Sequence, residues 1–404
     1  MGSSTTPRTR AGATFAYYAA FVGLGLTSAA LGASLPRLAD NTGSTTAQIS
    51  FLFTAGAAGY MIGSTQIGRW YDRQSGHPLI AGALVALVAL MAIVPLVRLL
   101  WLLILVYLMV GVAQGILDVG CNTLLVWTHG ARIGPTMNGL HLCFGIGAFI
   151  CPVIMAQVLR GTGSITLGFW GIAVLLTPPA LALARLPSPG SGQQVGAQVE
   201  CAAPRWMIAL FAVFFFLFVG AEHTLGGWTA TYAISTGLGT EATAAYLTSA
   251  FWGAFTLGRL LAIPLAAWVQ PRWMLLGDIV ICLLSVLAMA IWSGSPVAIW
   301  GGVIGAGLTI APIFATTMAL AETMLSITGK VTSWFFIGVS SGSLVMPWLT
   351  GQLFEAVGPN VLIYAEVVDL VLGLVILFAL LAATSGRTRQ PTQPATAPPV
   401  GVAA

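Results

Sequence analysis

Runs of apolar residues, interrupted at short intervals by polar turns, fill nearly the whole chain. They fall at roughly 12–34, 48–69, 78–97, 99–127, 136–158, 164–184, 205–233, 242–268, 273–292, 296–323, 330–353 and 359–383. Each approaches the length that crosses a hydrocarbon core of about 30 Å. In lipid, an unpaired run of that length satisfies its backbone only as a helix, so the pattern predicts twelve transmembrane helices. Turns such as Arg98 and Ser293-Gly294-Ser295-Pro296 separate neighbouring windows. Within 296–323, Gly301, Gly302, Gly305 and Gly307 followed by Pro312 predict a bend.

The longest interruption lies at 185–204, where Pro187, Pro189, Gly190, Gly192, Gln193 and Gln194 form a flexible polar stretch. It divides the chain into six-helix bundles at 1–184 and 205–384, leaving 385–404 as an expected disordered cytoplasmic tail. The halves share short matches. Phe21-Val22-Gly23 with Thr27 corresponds to Phe218-Val219-Gly220 with Thr224, Gly68-Arg69 to Gly258-Arg259, and Gly111-Val112 to Gly302-Val303. A parallel six-helix repeat with its binding site between the halves is similar to the major facilitator superfamily. The expected fold is therefore an all-α membrane protein with two bundles related by a pseudo-repeat.

Of 404 residues, 57% are hydrophobic and 6% charged, against about a quarter charged in soluble domains. With both termini inside, the inner loops and helix ends collect Arg8, Arg10, Arg69, Arg73, Arg132, Arg185, Arg205, Arg259, Arg272, Lys330, Arg387 and Arg389. Only Arg37, Arg98 and Arg160 fall on the other side. This positive-inside bias predicts both termini in the cytoplasm, in a monomer embedded in a bacterial inner membrane. The net charge of +4 reports that orientation and not nucleic-acid binding, because the basic residues form no stripe. Met1 to Arg10 are polar and lead directly into a full-length span, so the first helix is expected to remain in the membrane. Cys121, Cys143, Cys151, Cys201 and Cys282 have no metal-ligand spacing and read as small core residues. No ATP motif, metal cluster or nucleophile arrangement points to an enzyme, a cofactor or a metal.

Against this background, a carboxylate inside the 99–127 window is the leading candidate for chemistry, since charges at bilayer depth usually serve a cavity or ion path. Four-residue steps place Gln114, Asp118 and Asn122 on one helix stripe. Asp118 is therefore the first functional candidate, on a helix face that Gln114 and Asn122 make polar. Glu222, near mid-membrane in the opposite half, is a second coupling candidate. Asn138 and His141 share a face of the fifth span. Trp228, Trp252, Thr309 and Trp334 supply aromatic faces and a hydroxyl from the second half. Glu366 and Asp369, three apart in the last span, receive no role.

The loop Gly68-Arg69-Trp70-Tyr71-Asp72-Arg73-Gln74-Ser75-Gly76-His77-Pro78 resembles the superfamily's inner-loop signature, with one extra residue before Gly76 and with His77 and Pro78 in place of cations. That resemblance implies an inner gate at Gly68, Asp72 and Arg73. The span-four motif from Asp118 to Asn122 resembles the fucose permease group of sugar symporters. The longer run Leu117-Asp118-Val119-Gly120-Cys121-Asn122, continuing through Gly134-Pro135-Thr136-Met137-Asn138-Gly139-Leu140-His141, resembles the sodium-dependent glucose transporter group. The resemblance implies symport of a sugar with a proton or sodium ion, with Asp118 as the coupling acid and Asn122 as a sugar contact, beside which Gln114 is a further candidate contact. The fucose permease group uses a second acid in its first span, whereas nothing acidic lies between Arg10 and Arg37 here; Glu222 is the expected substitute. Two further readings stand beside sugar symport. One is proton-coupled efflux of a drug or metabolite, whose span-five Gly-Pro pair is absent from Gly145-Ile146-Gly147-Ala148-Phe149-Ile150-Cys151-Pro152. The other is a transporter-like receptor that binds a solute without moving it.

Overall fold

The computed structural model describes residues 7–71, 76–130, 133–189, 204–325 and 328–385. Among them the secondary structure is helical. The first half holds α1 (Pro7–Thr42), the single-turn α2 (Thr46–Ile49), α3 (Phe51–Tyr71), α4 (Gly76–Ile93), α5 (Leu100–His129), α6 (Ile133–Thr162) and α7 (Thr166–Arg185). The second half holds α8 (Arg205–Ser235), α9 (Glu241–Ala266), α10 (Pro271–Ile291), α11 (Pro296–Ile310), α12 (Ile313–Met324), α13 (Gly329–Val357) and α14 (Val361–Ser385). The expected bend is a break between α11 and α12 at Ala311 and Pro312, so these two form one span. The 185–204 linker and the tail fall largely outside the described residues.

Ten of the described spans are long and apolar enough to cross a membrane. The two remaining long helices are α3, diluted by Thr54, Ser64, Thr65 and Gln66, and α13, diluted by Ser340, Ser341, Ser343 and Gln352. These two pack against each other across the boundary between the halves. Thr54, Ser64, Ser340, Ser341, Ser343 and Gln352 are partly buried there, whereas Thr65 and Gln66 in the last two turns of α3 are exposed. The chain is an integral, multi-pass membrane protein.

The repeat extends to local detail. The first span of each half ends at a glycine in left-handed backbone, Gly43 with φ of 62° and Gly237 with φ of 69°, where a side chain would be strained. The next helix in each half then starts on a threonine N-cap. Thr45 accepts from the Gln48 amide and Thr240 from the Thr243 amide. Helix pairing repeats as well: α3 packs on α5 as α9 does on α11, α1 on α6 as α8 on α13, and α4 on α7 as α10 on α14. These pairs are close because glycines let backbones touch. A Cβ at Gly111 would sit 2.0 Å from the Gly56 carbonyl oxygen, and one at Gly342 would sit 2.1 Å from that of Phe216.

Candidate functional site

The ends of α1 and α14 lie on one face of the bundle, here called the terminal face; the other is the distal face. The halves are sealed toward the distal face. Arg37 Nε of α1 donates to Glu241 Oε2 of α9 at 2.6 Å. Gln157 donates to Tyr246 Oη at 2.6 Å, and Gln352 donates to the Ala47 carbonyl at 2.7 Å and to Ser50 Oγ at 3.0 Å. Below these, the Trp228 ring lies between Phe53 of the first half and Phe354, with ring centroids 5.5 Å away on each side. A Cβ on Gly32 would come within 2.4 Å of the Gly226 carbonyl oxygen, so α1 and α8 meet backbone to backbone. Farther down, Ser249 donates to the Phe149 carbonyl at 2.7 Å, and Thr256 leaves no room for a side chain at Gly145. On the next turns of α6 toward the terminal face, His141 and Asn138 are exposed.

The outer pair is partly exposed, with 37% and 32% of the two side chains accessible, so it contributes at most about 1 kcal/mol. Glu241→Gln is accordingly expected to speed labelling of Gln114→Cys from the distal side by roughly two- to fivefold. The measurement uses a membrane-impermeant thiol reagent in a Cys143→Ser background. An unchanged rate would show that the pair does not hold this face shut.

Beneath the seal, polar groups converge on α5. Tyr60 of α3 donates its hydroxyl to Asp118 Oδ2. Asn122 Nδ2 donates to Asp118 Oδ1 at 2.8 Å and to the Asp118 carbonyl at 2.9 Å. Both carboxylate oxygens are thus oriented, and the four-residue spacing that aligned Asp118 with Asn122 becomes a direct bond. One turn toward the distal face, Gln114 donates to Thr27 Oγ1 at 3.0 Å and lies 3.4 Å from Ser28 Oγ, both on α1. His141 meets the Phe21 ring edge-on, with centroids 5.8 Å apart.

From the other half come Glu222, partly buried just past the middle of α8, and Arg259 of α9. The Arg259 guanidinium lies over the Phe255 ring, 4.6 Å from its centroid. It is within electrostatic reach of Asp118, Glu222 and His141. Asp118 and Arg259 each lie 18 residues from the distal end of their helices, about 27 Å at 1.5 Å per residue. Arg259, counted among the inner cations, therefore stands at the same depth along its helix as Asp118. Its signal was position: Arg259 precedes the end of its apolar window by more than two turns. Tyr60, between Gly59 and Gly63 of α3, was also missed.

Some expected contacts lie elsewhere. Trp228 is fully buried and donates Nε1 to the Pro347 carbonyl at 2.9 Å, which makes it part of the seal. Thr309 is buried and donates to the Gly305 carbonyl at 2.8 Å, inside the second bundle. Trp334 is half exposed near the terminal-face start of α13. Trp252 is likewise buried, packed edge-on against Phe144, Phe251 and Phe255 at 6.4, 5.3 and 5.3 Å between ring centroids, and its Nε1 has no hydrogen-bond partner among the described residues. Glu366 is fully buried in α14 with both carboxyl oxygens unpartnered, and Asp369 is buried one turn on. Gly68 lies in the last turn of α3, whereas Asp72 and Arg73 are outside the described residues.

Two bundles sealed at one face around a charged, hydrogen-bonded centre define a solute transporter rather than an enzyme. The chain belongs to the Major Facilitator Superfamily, whose model matches residues 17–337. Among curated relatives, sodium-dependent glucose transporter 1 of Xenopus laevis is 30% identical over 362 residues, covering 82% of this chain and 74% of that protein. The Homo sapiens protein of the same name is 28% identical, with coverage of 83% and 72%. Among solved structures, a bacterial homolog of the human lysosomal transporter Spinster, inward-facing and occupied, superposes with a TM-score of 0.75 at 13% identity, covering 95% of this chain and 98% of that one. The nucleoside transporter NupG gives 0.71 at 17% identity, with coverage of 93% and 98%. These structural likenesses show the shared fold.

Proposed function

We propose that this protein is a secondary active transporter that carries a monosaccharide together with a proton or sodium ion. Asp118 is the coupling acid, and the observation that carries the reading is its carboxylate, held in place by Tyr60 and Asn122 beside the central cavity. The names of the curated relatives support sugar and sodium as the cargo. The polar groups around Asp118 suit a polyhydroxylated solute. Asn122 uses its amide N–H on Asp118, leaving its carbonyl oxygen as an acceptor. His141 and Asn138 are exposed, and the Trp252 N–H is unpartnered, becoming available to a solute hydroxyl where the helices around it part.

With both termini in the cytoplasm, the sealed distal face is the outer one and the conformation is inward-facing. Transport then requires the Arg37–Glu241, Gln157–Tyr246 and Gln352–Ala47 contacts to part while the bundles close on the terminal side. The glycine-lined helix pairs inside each half are backed by carbonyls, so each bundle moves as one body. Binding of solute and cation offsets the cost of that rearrangement by favouring an occluded state.

Counterflow of labelled monosaccharides in proteoliposomes, with sodium or proton gradients imposed separately, tests the reading. Cation-dependent uptake of at least one sugar is expected; uptake of none, or binding without flux, would overturn it. Trp252→Phe keeps the aromatic face and removes the N–H. It is expected to weaken sugar affinity roughly three- to tenfold, measured by calorimetric titration against wild type.

A further inference from the structure

We propose that the second bundle holds a bound proton of its own, on Glu366 in the seam that α14 makes with α8 and α10, away from the central site. Glu366 stands in the second turn of α14, is 0% exposed, and neither of its carboxyl oxygens has a hydrogen-bond partner among the described residues. Glu366, Asp369 and Gly373 are spaced three and four residues apart and so form one stripe of the helix. At the end of that stripe a Cβ on Gly373 would lie 2.5 Å from the Phe218 ring of α8, so the stripe faces the bundle interior. On α10, which packs along α14, Asp278 Oδ2 is likewise buried without a partner, and Cys282, one turn on, is fully buried within electrostatic reach of Glu366. The matching pair in the first half, α4 and α7, packs in the same way and contains no Asp or Glu. The fold itself therefore does not call for acids here.

A carboxylate buried with neither a donor nor a counter-ion is costly enough that the group takes up a cation or a proton. The helices packed against α14 are chiefly α8, α10 and α13, and their titratable groups offer Glu366 no cation. On α8 these are Glu222, Tyr232 and the exposed His223, whose Nδ1 meets the Val219 carbonyl of its own helix. On α10 they are Asp278 and Cys282, and on α13 Glu355, which accepts from the Ala47 amide at the distal face. Arg205, Arg272 and Lys330 stand in the first turns of these helices at the terminal face, whereas Glu366 lies toward the distal end of α14, with Tyr364 and Asp369 as its titratable neighbours on that helix. Asp369 would add a second negative charge, and two carboxyls so close do not both ionise. Among the described residues no three His, Cys, Asp or Glu side chains converge to hold a metal ion, and a proton needs no such cage. Reaching water from this seam requires α14 to part from its neighbours, so the proton stays with the folded bundle and is distinct from any ion moved at Asp118.

Infrared spectra of the purified full-length protein at neutral pH read the proton directly. Wild type minus Glu366→Gln should show the carbonyl stretch of an un-ionised carboxylic acid, moving only slowly in heavy water; the paired stretches of a carboxylate in its place would overturn the proposal. Melting temperature against pH is the second readout. An acid neutral in the fold but ionised in the unfolded chain makes the folded state bind more protons, so stability is lost as pH rises above the ordinary glutamate value of about 4.3. Glu366→Gln is neutral at every pH. It should melt close to wild type at about pH 4.5 and several degrees above it at about pH 8. Asp118→Asn should leave that gap in place, which separates this proton from the central acid. A gap that does not widen with pH, or a Glu366→Gln protein that fails to fold, would overturn the proposal. So would stabilisation of wild type, but not of Glu366→Gln, when sodium chloride replaces choline chloride mole for mole, since the ligand would then be a metal cation.

Discussion

Asp118→Asn should abolish gradient-driven accumulation of solute while leaving exchange of preloaded solute largely intact. The substitution keeps the size of the side chain and its contact with Tyr60 but removes the charge that a cation would answer. A potential of 100 mV is worth about 2.3 kcal/mol per transported charge, enough to sustain roughly a fiftyfold concentration ratio. In the variant that ratio should fall toward one. Uptake of labelled sugar into proteoliposomes under a clamped potential measures the loss, and counterflow in the same vesicles measures what is retained. Accumulation equal to wild type would remove Asp118 from the coupling mechanism, and parallel loss of both activities would make it a structural residue.

Gly115→Ala is expected to reverse the usual effect of that substitution. In an open helix position alanine is favoured over glycine by about 1 kcal/mol. At Gly115, however, the new Cβ would lie 2.3 Å from the Tyr60 carbonyl oxygen and 2.8 Å from the Ser64 nitrogen. Backbone cannot step aside as a flexible side chain does, so α3 must lift from α5. Overpacking of this kind costs about 1–3 kcal/mol, and the helix that lifts carries the hydroxyl bonded to Asp118. The variant should therefore melt several degrees lower than wild type and lose much of its coupled transport. Gly82→Ala in α4 is the control. Nothing stands within 4 Å of its Cβ position, and the same change there should be neutral or stabilising. Equal responses at both sites would refute the close-packing account.

The windows were legible because lipid leaves a long apolar segment few alternatives to a helix, and the break at Pro312 was legible because proline cannot serve the ladder. Helix ends were less so. The apolar window at 12–34 becomes a helix over Pro7–Thr42, since helical hydrogen bonding does not stop where hydrophobicity does. Asp118, Gln114 and Asn122 were legible as one polar stripe because an apolar helix makes such a stripe stand out, and the structure joins Asn122 to Asp118 directly. Trp228 and Thr309 show the limit of that reasoning: residue type suggests what a side chain can bind, but the partner helix decides whether it faces the cavity, the seal or the bundle interior. Arg259 shows another limit. Hydropathy treats a charge as the edge of a span, whereas the structure lays this guanidinium over the Phe255 ring of its own helix, more than two turns inside the apolar window.

The Arg37–Glu241 pair carries a consequence for physiology outside the cavity. Because both side chains are partly open to water on the distal face, their attraction is screened over about 10 Å at 0.1 M salt and over about 3 Å at 1 M. Brine on that side loosens the latch whatever ion is dissolved in it, so opening is quicker in a salty medium than in a dilute one even when the central site is empty. Under the proposed symport, with sodium as the coupling ion, raising sodium alone would therefore act twice, as a bound ion and as a screen, and an apparent activation constant would combine the two. Potassium or choline added to hold total salt constant separates them, and the part that persists under any salt belongs to the latch.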